Sequence, residues 1–200
     1  ETQISKVKRE LHAGEAPFWC ILEVKEAMVM ILISACLAGF NVRYDGGNAR
    51  NNLGGKLVGL GQATTVCPEI MGGFATPRVP AEIQGGTGRD VLTGRAKVMN
   101  REGRDVTRQY LQGAQMVLKI ARDHGVTAAF LKQKSPACGT KLIYDGKFAG
   151  NKVPGAGVTA TLLQDHGIKC FGDEDLTLAN VRPYVDAVTW ENLHYDNLRP

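Results

Sequence analysis

A unit that occurs twice restricts this chain more than anything else in it: an amphipathic helix, a closing glycine and a short apolar strand. In the first copy Val106, Tyr110, Ala114, Val117, Leu118 and Ala121 recur at helical spacing, "RDHG" ends the helix at Gly125, and "VTAAFL" follows. In the second, "GVTATLLQDHG" closes at Gly167 and "IKCF" follows. Asp105 or Thr107 is placed to cap the first helix, because a short side-chain oxygen accepts from free amides of the first turn. Helices and strands in alternation build a parallel sheet with helices packed on it. The run "VMILISA" agrees, since a continuous apolar, β-branched stretch suits a strand covered on both faces. "ATTVCPEI" reads as another short strand, cut off by Pro68, and "KVMN" as an edge-like piece. The expected fold is α/β, a single Rossmann-like three-layer domain with a mostly parallel sheet, spanning 28–172. Residues 1–27 read as an N-terminal extension and 173–200 as a C-terminal one, a terminal helix or wrap.

Composition fits this. Of 200 residues 44% are hydrophobic and 22% charged, enough apolar chain for one core without staples. The net charge of +4 reads as a solvated basic surface rather than a nucleic-acid footprint. The apolar run from Met28 to Ile33 falls far short of the roughly 20 residues a bilayer span needs, and it lacks the marks of a signal peptide. A cytoplasmic protein is expected, with no membrane partner. Thiols stay reduced there, so the five cysteines are left for metal, catalysis or burial.

Cys36, Cys67 and Cys138 each fall where a strand is expected to end, and open α/β sheets bind ligands at that edge. They are too far apart in sequence for a zinc finger or ribbon, which uses close pairs. Three thiolates with one position left open suit a catalytic zinc or an iron–sulfur cluster with an uncapped iron. Three unrelated core or loop cysteines remain the other reading. Glu69 stands two residues after Cys67, across Pro68, and Ser135 three before Cys138, across Pro136. A carboxylate beside a metal acts as a ligand or as a base, and a hydroxyl donates a hydrogen bond or relays a proton. Equally, Glu69 can pair with an arginine and Ser135 can make a turn. Cys170 reads as a small buried hydrophobe, and Cys20 has no evident partner.

The blocks "ISACLAGFNVRYDGG", "VCPEIMGGFATPRVPAEI", "LKQKSPACGTKLIYDGKFAG" and "GAGVTATLLQDHGIKCF" resemble, in order, the thiouracil desulfurase (TudS) family. The resemblance runs from about Met30 to Phe171. It implies a 4Fe–4S cluster on Cys36, Cys67 and Cys138 with one open iron, and Glu69 and Ser135 as the catalytic pair. It also implies a small thiolated pyrimidine as substrate and sulfide as product. Ser34, Arg43, Tyr44, Asp45, Arg78, Lys132 and Lys134 are then candidates to grip the ring, although Arg43 and Arg78 can instead pair with a carboxylate such as Glu82. For a nucleotide substrate, "VPGAG" at a helix start can hold a phosphate. No GxGxxG motif opens a helix after the first strand and there is no P-loop, so no nicotinamide or flavin is called for. Thiolated tRNA as substrate, and a non-catalytic iron–sulfur or sulfur-carrier protein, are the competing readings.

Overall fold

The computed structural model describes residues 31–197, with side chains as far as Leu193. The expected N-terminal extension, Cys20 and the domain start at Met28 lie outside the described residues. In chain order the elements are β1 (Ile31–Ser34), α1 (Asn52–Gly59), β2 (Ala63–Val66), α2 (Pro68–Met71), β3 (Ala81–Gln84), α3 (Gly88–Leu92) and β4 (Lys97–Asn100). There follow α4 (Thr107–Asp123), β5 (Ala128–Leu131), β6 (Leu142–Tyr144), β7 (Lys152–Pro154), α5 (Val158–Asp165), β8 (Lys169–Gly172), α6 (Leu178–Val181) and α7 (Ala187–Asn197). Short 3₁₀ turns span Asp173–Asp175 and Arg182–Tyr184.

The main sheet runs β2-β1-β5-β8 with every pair parallel. Its strands are short, so alternation of side chains divides the core cleanly. Leu32, Val66, Ala129 and Leu131 face one cluster, shared with Ala114, Val117 and Leu118 of α4 and Leu163 of α5. Ile31, Ile33, Ala63 and Phe130 face the other, with Leu57 of α1. Both faces are covered, which is why Ile31, Leu32 and Ile33 are apolar in succession. The helical stripe from Val106 to Ala121 is buried as the spacing predicts, and Gly125 and Gly167 take positive φ where the helices close. Asp105 Oδ1 accepts from the Thr107 amide at 3.0 Å, whereas Thr107 Oγ1 accepts from Val98 N and ties the helix start to β4. Among the described residues no helix is long and apolar enough to cross a membrane.

Two features depart from the sequence reading. "KVMN" is not an edge of the main sheet. It pairs antiparallel with β3, a strand the pattern "AEIQ" did not reveal, and β6 and β7 form a second small hairpin. Residues after Gly172 do more than wrap: Leu176, Val181, Val185 and Leu193 complete the second core cluster.

Helix α2 sits against α4 at a glycine-only distance. A Cβ on Gly113 would lie 1.9 Å from the Pro68 carbonyl oxygen, and one on Gly72 would lie 2.3 Å from that of Gln109. Gly113→Ala therefore forces the two helices apart. The expected loss is about 2 kcal/mol or more, the range for overpacking a close contact, read from the midpoint of urea unfolding.

Candidate active site

The chain leaves β1 for β2 on one side, then crosses to β5 on the other. Loops diverge at the carboxyl ends of these three strands, and such a switch point opens a crevice. A cleft of about 440 Å³ lies there. Cys36, Cys67, Cys138, Glu69 and Ser135 all line it.

Each cysteine is set by a different loop. Cys36 follows β1 by two residues, Cys67 caps α2 directly after β2, and Cys138 sits in the turn after β5. That turn is fastened by the start of α5: the amide of Val158 donates to Pro136 O, and those of Thr159 and Ala160 to Ala137 O, at 2.9 to 3.1 Å. The "VPGAG" helix start is therefore not a phosphate site, because its free amides are already spent on the cysteine loop. All four described cysteines are free thiols. Burial, then the neighbouring Cys67, pushes the Cys36 thiol up to about 11. Burial, then Cys67 and Cys36, raises Cys138 well above the ordinary thiol range. Burial likewise raises Cys67. The thiols feel one another across one cleft, yet among the described residues no three His, Cys, Asp or Glu side chains close around a single ion. Cys170 is apart from them, packed on the first core, where burial pushes its thiol up to about 12.

Glu69 is held from several sides. Arg78 Nε donates to Oε2 at 2.6 Å, and Ser135 Oγ donates to Oε1 at 3.3 Å. Ser135 Oγ in turn accepts from the amides of Ala137 and Cys138 at 3.1 and 3.2 Å. The phenol of Tyr110, 3% exposed, lies against Glu69; burial and then that carboxylate raise it well above its usual range. The Tyr110 ring meets Phe74 edge-on at 5.4 Å. The Arg78 and Glu69 side chains are only 8% and 14% exposed, so their pairing is a partly desolvated, charge-assisted contact.

The remaining candidates are placed unequally. Arg78 faces Glu69, not Glu82, and its other nitrogens reach Val42 O, Ala75 O and Thr76 Oγ1. Ser34 is 2% exposed, and its hydroxyl oxygen accepts from the Lys132 amide at 3.1 Å. Lys132 lines the cleft but its ammonium binds Asp173 at 2.5 Å. Arg43 pairs with exposed Asp45 at 3.0 Å and lies 5.8 Å from the Tyr44 ring, both beside the cleft mouth. Lys134 lines it too, in a left-handed backbone conformation. Sequence reasoning missed Tyr110, Glu82, Tyr144 and Phe148, which also line the cleft. Only Tyr110 carried a signal: a phenol on an apolar helix face needs a buried polar partner.

Fold and site together define an α/β protein whose three thiols and one clamped carboxylate meet at the switch point of a parallel sheet. The sequence pattern of the 2-thiouracil desulfurase family matches residues 31–175, and the chain belongs to that family. The chain is 47% identical over 147 residues to the uncharacterized protein YbbK of Bacillus subtilis (strain 168), covering 74% of this chain and 97% of that one. A solved structure, that of the [4Fe-4S]-dependent thiouracil desulfidase TudS (DUF523Vcz), is similar at a TM-score of 0.65 and 40% identity, over 73% of this chain and 91% of that chain.

Removing one partner of a buried ion pair strands the other charge. Arg78→Met should therefore lower stability by about 3 kcal/mol. Arg78→Met with Glu69→Gln should recover much of that loss. Chemical unfolding of both variants and of Glu69→Gln alone completes the cycle.

Proposed function

We propose that this chain hydrolyses the carbon–sulfur bond of a thiolated pyrimidine, with Cys36, Cys67 and Cys138 holding a 4Fe–4S cluster. The observation that carries this reading is the carboxylate of Glu69, clamped by Arg78 and joined to Ser135, in the cleft the three thiols share. Family membership and the activity of the related desulfidase support it. When bound, the cluster would supply Lewis acidity that polarises the thiocarbonyl group.

The rest falls to the chain's own side chains. Glu69 accepts a proton from water as its oxygen adds to the thiocarbonyl carbon. Arg78 keeps Oε2 fixed, so the carboxylate presents Oε1 to the reacting side. Ser135, whose hydroxyl already contacts that oxygen, relays the proton toward the departing sulfur. The carbon gains oxygen from water and the sulfur leaves as hydrogen sulfide. No electrons are exchanged, so the reaction calls for no redox partner. The low exposure of Glu69 limits competing solvent. A cleft of about 440 Å³ suits a small molecule, and the net charge of +4 is weak for a tRNA footprint. A free thiopyrimidine or its nucleotide is the substrate class favoured over tRNA.

The test is anaerobic reconstitution with iron and sulfide, followed by sulfide assays with 2-thiouracil, 4-thiouracil, 4-thiouridine monophosphate and thiolated tRNA. Glu69→Gln, whose amide oxygen can still accept from Arg78, should keep the cluster's visible absorption and lose about 10²- to 10⁴-fold in turnover, the usual weight of a positioned acid–base group. Full activity in Glu69→Gln would sink its assigned role. Separately, alanine at Cys36, Cys67 or Cys138 should abolish the absorption and sulfide release together, while alanine at Cys170 leaves both intact.

A further inference from the structure

A second carboxylate in the cleft has no part in that chemistry. Glu82, on β3, is 7% exposed and lines the cleft. Its Oε2 accepts from the Phe148 amide at 3.0 Å. Among the described residues no arginine or lysine forms a salt bridge with it: Arg78 is taken by Glu69, Arg43 by Asp45 and Lys132 by Asp173. A buried carboxylate without a cation is costly unless its oxygens find donors. The described side-chain polar atom that is sealed from solvent and lacks a hydrogen bond is Thr159 Oγ1. Glu82 Oε1 is not among the sealed oxygens that lack a partner, and Glu82 lines the cleft. Beside it stand aromatic surfaces, Tyr144 and Phe148, the latter with Arg101 5.7 Å from its ring centroid.

A thiolated pyrimidine carries ring N–H donors next to its thiocarbonyl. Both Glu69 oxygens are engaged, by Arg78 and by Ser135. We propose that Glu82 Oε1 accepts a ring N–H of the substrate and so selects a lactam-type thiopyrimidine over rings substituted at that nitrogen. This rests on the desulfuration reading above. The β6–β7 turn is the device that aims it. Phe148 takes a positive φ, and its amide occupies one Glu82 oxygen and leaves the other as the acceptor the proposal uses. Gln84 Nε2 donates to Gly146 O at 2.9 Å and holds the same turn on β3.

This arrangement makes Glu82→Gln a sharp probe. The carbonyl oxygen of glutamine can keep the Phe148 bond, which leaves its NH₂ facing the substrate's N–H, donor against donor. The N–H is unchanged between substrate and product, so the lost contact is uniform binding and appears in KM rather than kcat. For the reconstituted protein, KM for 2-thiouracil should rise about tenfold or more, the worth of one hydrogen bond to a charged group. kcat should stay within about threefold, and the inhibition constant of uracil should rise in step with KM. The wild type should also turn over either 1-methyl- or 3-methyl-2-thiouracil far less efficiently than the parent, and Glu82→Gln should narrow that gap. An unchanged KM and uracil inhibition constant in a folded Glu82→Gln would overturn the proposal. So would a fall in kcat alone, or wild-type protein indifferent to methylation at both nitrogens, a readout that does not depend on the variant folding. A wild type that releases no sulfide from any thiopyrimidine defeats the desulfuration reading instead.

Discussion

The ion pair between Arg78 and Glu69 is the contact on which the site depends. Arg78 lies on the loop before β3, yet its guanidinium also reaches the carbonyl of Val42, and its own amide donates to Tyr44 O. Through Glu69 it meets Ser135 on the loop after β5. One partly desolvated contact therefore joins the loops that follow β1, β2 and β5. Each of those loops carries one of the three cysteines. Thiols on separate strands cannot hold a common group unless their loops are fixed relative to each other, and charge-assisted hydrogen bonds do that with direction as well as energy.

Backbone groups provide the rest of the rigidity. The start of α5 spends its amides on the carbonyls of Pro136 and Ala137. Close passage of α2 over α4, open only to glycine at Gly72 and Gly113, sets the depth of Pro68 and with it the position of Cys67 and Glu69 on either side. A helix start can bind an anion or can anchor a loop. Here it anchors, so Ser135 and Cys138 share a frame that does not rely on side-chain order.

Much of this was legible in the sequence, and for identifiable reasons. Helical spacing closed by glycine, followed by apolar strands, is local information, and so is the placing of Cys36 and Cys67 just past strand ends, whereas Cys138 lies seven residues beyond β5, farther along its loop than the pattern suggested. The resemblance of four blocks supplied the roles of Glu69 and Ser135, which spacing alone left open between catalysis and ordinary pairing. What escaped was pairing across distance. Nothing in "ATPRVP" says that Arg78 turns to Glu69 rather than to Glu82 or to substrate. "AEIQ" is half polar and "LIY" is only three residues long, so neither announces the hairpins that wall the cleft. The segment beyond Gly172 reads as polar, yet a few well-spaced residues, Leu176, Val181 and Leu193, suffice to close the second core.

The two carboxylates in the cleft show how environment divides labour between like groups. Glu69 faces a guanidinium, a hydroxyl and a phenol, so its orientation is fixed. Glu82 faces a single backbone amide, so it keeps acceptor capacity that only an incoming donor can fill. A base must be held still beside the reacting carbon, whereas a recognition group must stay unsatisfied until the ligand arrives. The cleft separates these demands by placing the first carboxylate on the sheet edge, among the loops that bear the thiols, and the second on a hairpin that carries none of them. The two walls are nonetheless tied, because the Lys134 amide donates to Leu142 O on β6 and the Gly157 amide to Gly139 O, so a change in the β6–β7 turn reaches the loop that bears Ser135 and Cys138.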